Sequence, residues 1–100
     1  MSWQINKGRK RSPVKRGTLV DVVLYASHYT DANFVGANKD KCTHNINGTN
    51  YICVTGAVAG GGISHWDIKG MAGDVIMWRE HSDDSKLPTK EMIEEVLNNG

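Results

Sequence analysis

Apolar and polar positions alternate most regularly over residues 18–26, TLVDVVLYA, where Val20, Val22 and Leu24 interleave with Leu19, Asp21, Val23 and Tyr25. The content of β-branched and aromatic residues predicts a strand, and two mostly apolar faces predict a central one. A polar stretch, SHYTDANFVGANKDK, follows as a long loop with Phe34 and Val35 touching the core. The next pattern is KCTHNINGTNYICV. Asn47-Gly48 suits a two-residue type I′ turn, because both central residues need positive φ. That turn sets the register of a hairpin over 42–54. Ile46 then faces Thr49, His44 faces Tyr51 and Cys42 faces Cys53, all on one side of the ribbon.

Gly60-Gly61-Gly62 should bend the chain. SHWDI and DVIMWRE (residues 64–68 and 74–80) are expected as two further strands, separated by Gly70 and Gly73. Residues 80–88 read as a linker. In TKEMIEEVLNNG, Thr89 is placed to cap a helix over 89–98, with Glu91 in its first turn. Met92, Ile93, Val96 and Leu97 make one apolar stripe. So short a helix is marginal alone and must bury that stripe, against its own sheet or a second copy.

The predicted class is mainly β (α+β): a single domain of about five strands, as a small antiparallel barrel or bent sheet, with one C-terminal helix. Residues 1–17 read as a basic lead-in and 18–79 as the β-rich core. A chain of 100 residues is enough for one such core.

Charge changes this picture in one place. The net charge is +1, too small for a global polyanion field. Yet Lys7, Arg9, Lys10, Arg11, Lys15 and Arg16 crowd the segment before the first long strand, and no acid precedes Asp21. Such an arm could contact phosphates with steep salt dependence, but it carries no aromatic to stack bases. A solvated lead-in or a charged binding rim suits it better. No apolar run reaches the length of a membrane helix, and MSWQINKGRK lacks a secretory apolar region, so the expected setting is a reducing cytoplasm without membrane attachment.

Candidate chemistry is sparse. Cys42, His44 and Cys53 share a hairpin face, and one more histidine (His65, His28 or His81) would complete a tetrahedral zinc set. The Cys-x-His-x8-Cys spacing matches no standard zinc module, so two reduced, half-buried thiols are the expectation, with no metal or other cofactor assigned and zinc as the alternative. The Cα separation of opposed residues also admits a disulfide. TGAVAGGGISHW lacks the Gly-Lys-Ser/Thr ending of a phosphate loop, though glycine amides could form an anion nest. No nucleophile is flagged by its neighbours, so no catalytic residue is assigned and the chain reads as a non-enzyme.

Two blocks carry a resemblance. SWQINKGRKRSPVKRGTLVDV has Trp3, Gly8, Pro13-Val14, Gly17-Thr18 and Val20-x-Val22; HWDIKGMAGDVIMWRE has Trp66, Asp74-Val75-Ile76 and Trp78-Arg79. Together they resemble a family of short accessory proteins common in tailed-phage and prophage genomes. This chain departs from that pattern with Trp78 in place of a tyrosine, with the charged RKRS before Pro13, and with a long middle holding the Asn-Gly hairpin. The resemblance implies a phage accessory protein in the host cytoplasm. The expectation built on it is a non-catalytic protein of host takeover or anti-defence. It would block a host protein or sequester a small anionic or nucleotide signal, and homo-oligomers suit such capture. In that reading Arg9, Lys10, Arg11, Lys15, Arg16 and Arg79 supply charge. Trp66 or Trp78 supplies a stacking face, and Gly60, Gly61, Gly62 and His65 line the entrance. The alternatives are a nucleic-acid-binding module using the basic arm, and a small metal-dependent or thiol enzyme.

Overall fold

A computed structural model describes residues 3–8, 11–27, 40–60, 63 and 66–99. Five strands form one antiparallel sheet: β1 (Gln4–Ile5), β2 (Leu19–Ser27), β3 (Asp40–Ile46), β4 (Thr49–Val58) and β5 (Val75–Glu80). Their order is β1-β5-β2-β4-β3, and helix α1 (Lys90–Asn99) closes the chain. The sheet is open, so of the two expected architectures the closed barrel is not formed by the described strands.

β2 sits at the centre, as its two apolar faces require. Val20, Val22, Leu24 and Ala26 pack on one face with Ile52, Val54, Ile63, Trp66 and Trp78. Val23 packs on the other with Cys53, Met77 and Ile93. The helix covers this second face. Thr89 Oγ1 accepts from the Met92 amide at 3.2 Å, which is the expected N-cap. Ile93 is fully buried, Val96 and Leu97 lean on the same cluster, and Met92 stays 38% exposed. The stripe therefore docks on its own sheet. Full burial of Ile93 contributes about 1.5–3 kcal/mol.

The hairpin forms as the Asn-Gly pair demands. Asn47 and Gly48 have φ of 54° and 86°, and the pairs Ile46↔Thr49, His44↔Tyr51 and Cys42↔Cys53 are all observed.

Two expectations are corrected. SHWDI is not a strand in its described part: Trp66 and Asp67 lie in a turn and Ile68 has φ 44°. Asp74 is the cause. Its buried carboxylate accepts from the amides of Lys69, Gly70 and Met71 at 3.1, 2.7 and 3.0 Å, so these groups serve a loop and not a ladder. The fifth strand comes instead from the supposed lead-in, as Gln4 and Ile5 pair with Trp78 and Met77. Asn6 holds it there, its Nδ2 donating to the carbonyls of Trp66 and Val75, both at 2.9 Å. Residues 81–88 form no helix or strand, and they are anchored to the body: Ser82 and Ser85 close a turn, Leu87 joins the helix-side cluster and Pro88 is buried.

Candidate functional site

The hairpin face brings three sequence-predicted residues together. Among the described residues, the ligand atoms of Cys42, His44 and Cys53 all lie within 4.8 Å of one another. Cys42 Sγ is 3.6 Å from His44 Nε2, and Nε2 is 3.2 Å from the Pro88 carbonyl oxygen. Cys53 is fully buried and Cys42 half-buried, and both thiols are free. Burial pushes the Cys53 thiol far above the usual cysteine range, with Cys42 beside it adding to the effect. Burial raises Cys42 as well. Neither is a ready thiolate nucleophile.

Register decides the disulfide question. A two-residue turn closes on a hydrogen-bonded pair, here Ile46/Thr49, and the unbroken ladder then makes His44/Tyr51 and Cys42/Cys53 hydrogen-bonded pairs too. Cβ atoms at such pairs stand about 5.5 Å apart, beyond the about 3.5–4.5 Å a disulfide needs. The Cα distance admits a bond; the Cβ distance opposes it.

A second constellation escaped sequence reasoning. Asp21 lies in mid-strand with no solvent exposure. Its Oδ2 accepts from Arg79 Nε at 2.8 Å, and its Oδ1 accepts from His81 Nδ1 at 2.8 Å and the Gly56 amide at 3.0 Å. Burial alone would raise this carboxyl. Hydrogen bonds from Arg79, Ser85, His81 and Gly56 outweigh it and hold the pKa below the usual carboxylate range. The β2–β4 register shifts between Val20 and Val22, and the bulge with Gly56 at φ 72° turns that amide toward Asp21. The His81 ring lies 3.6 Å from where a Gly56 Cβ would stand. Arg79 also stacks over Trp3, 4.3 Å from the ring, and donates to the Lys86 carbonyl. The one signal available was an acid amid the apolar positions of a central strand.

Arg79 is thus paired with Asp21 through Nε. It still forms one wall of an open groove of about 390 Å³ with Glu80, Ser82, Asp84, Ser85 and Lys86. His81 serves Asp21 and not the hairpin cysteines. Trp66 and Trp78 pack edge to face at 6.0 Å, exposed by only 3% and 7%. They fill the core instead of offering an open stacking face, although Trp78 borders a shallow groove of about 300 Å³ with Gln4–Gly8.

The end of the basic segment, residues 15–18, meets Ala59 and Gly60 at one corner. A turn from Lys15 to Thr18 is closed by the Thr18 amide on the Lys15 carbonyl, with Gly17 at φ 92°. The Gly17 amide donates to the Ala59 carbonyl and the Ala59 amide to the Thr18 carbonyl, at 2.8 and 2.9 Å. Gly60 has φ 83°, and a Cβ there would stand 2.6 Å from Arg16 Cγ. Glycine is needed on both counts. Lys15 and Arg16 are exposed at this corner, and Arg11 is exposed earlier in the same segment. Arg9, Lys10, Gly61, Gly62, His65 and His28 lie outside the described residues. No helix among the described residues is long and apolar enough to cross a membrane.

No family model, no curated protein and no solved structure matches this chain.

Proposed function

We propose that the protein is a non-catalytic binding protein that captures a small anionic ligand, of the nucleotide class, at the corner where the basic segment meets the glycine turn. The supporting observation is the seating of Arg16 on Gly60, with backbone bonds on either side of Gly17 locking the segment to the end of β4. A cation held on a fixed backbone loses less freedom on binding than one on a loose arm. Lys15 and Arg16 are consecutive and both exposed there, and each can give a phosphate charge-assisted hydrogen bonds. Thiols whose pKa burial raises, and an Asp–Arg pair closed on itself, favour capture over catalysis. The phage setting, with a role in host takeover, rests on the sequence resemblance alone.

Calorimetry against linear and cyclic nucleotides at low ionic strength tests the reading. It predicts saturable binding that is lost when Arg11, Lys15 and Arg16 are changed together to glutamine. It also predicts weaker binding in Gly60→Ala, where the Arg16 stem must move. Absence of heat across the panel would reject it. Tighter binding to DNA or RNA than to any mononucleotide, falling steeply with salt, would favour the nucleic-acid reading instead.

A further inference from the structure

On the helix side of the sheet, the hairpin carries a donor set separate from the basic corner. We infer that Cys42 Sγ, Cys53 Sγ and His44 Nε2 form a zinc site, its fourth vertex facing the Pro88 carbonyl. Three observations carry this. The first is an edge length. Zn–S of about 2.3 Å and Zn–N of about 2.05 Å at the tetrahedral angle give an S···N edge of about 3.6 Å. The separation between Cys42 Sγ and His44 Nε2 is 3.6 Å. The second is the register. At a hydrogen-bonded pair the two Cβ atoms stand too far apart for a sulfur–sulfur bond, yet suit two sulfurs sharing one ion, whose edge is about 3.8 Å. All three donors already fall within 4.8 Å of one another, near the edges such an ion sets.

The third is the surroundings. Cys42 and Cys53 adjoin an apolar cluster with Ile46, Trp3, Leu87 and Ile93. A dication there would be costly alone, but two thiolates cancel its charge and a neutral imidazole completes an uncharged unit. Pro88 O, now accepting from Nε2–H at 3.2 Å, is placed to accept from a water in the fourth position once that nitrogen turns to the metal. The ion would tie β3 and β4 to the segment that caps α1. Binding of each zinc releases the protons of both thiols.

Cobalt(II) is the direct probe, titrated into metal-free, reduced protein and then displaced by zinc. The expected result is a near-ultraviolet thiolate-to-cobalt band with intense visible bands of tetrahedral cobalt, saturating at one equivalent, and a higher thermal midpoint with zinc. Cys42→Ser and His44→Gln should each lower zinc affinity about tenfold or more. Both positions are only half-buried, so the metal-free fold, followed by circular dichroism, should persist. If Cys42→Ser does not fold, His44→Gln carries the same decision. A pale octahedral cobalt spectrum, or zinc affinity unchanged in the folded variants, would overturn the site.

Discussion

Arg79 donates from Nε to Asp21 Oδ2 at 2.8 Å, across the ladder between β5 and β2, where the carboxylate is wholly enclosed. Removing one partner of such a pair leaves the other charge uncompensated. Asp21→Ala should therefore lower stability by about 3–5 kcal/mol in urea unfolding. Replacing both, as Asp21→Leu with Arg79→Met, should recover part of that loss. A double variant no better than Asp21→Ala would show that the pair is not the coupled unit described.

The same carboxyl sets an acid limit. Its folded pKa lies below the unfolded value, so its contribution is present above the unfolded pKa and lost as pH falls through the folded one. Thermal midpoints should drop from the ordinary carboxylate range downward, and the drop should be shallower in Asp21→Asn. Parallel acid limbs in the two proteins would contradict this.

Gly48 holds φ 86° with open space where a Cβ would stand. Its substitution thus costs backbone strain and no clash. Gly48→Ala should destabilise by about 1–2 kcal/mol, measured by chemical unfolding.

Trp66 is buried against Trp78. Trp66→Ala should cost about 3–5 kcal/mol by opening a cavity in the core. Nucleotides, conversely, should leave tryptophan fluorescence of a Trp3→Phe variant nearly unchanged, since Trp66 and Trp78 are both buried.

What was legible in the chain was what local physics decides. Asn47-Gly48 dictated its turn, and the turn carried the pairing of Cys42 with Cys53 with it. Thr89 marked its helix, and the double apolar face of β2 marked the centre of the sheet. The misreadings came from long-range polar contacts. Gln4-Ile5 is held as a strand next to Asn6, which finds carbonyls at residues 66 and 75, and Trp66–Ile68 leads into a loop whose next three amides bond to Asp74. The Asp21–Arg79–His81 cluster was hidden likewise, its members being sixty residues apart at most and joined only by β2–β5 pairing. At the basic corner the residue types were visible, but not that Arg16 would seat on Gly60.

The most direct test is an amide chemical-shift titration of the isotope-labelled protein with ATP and a cyclic dinucleotide at low salt. The account predicts saturable shifts centred on Arg11, Lys15, Arg16, Gly17 and Gly60, absent when the three cations are replaced by glutamine. Shifts confined to other surfaces, or none with either nucleotide, would contradict it.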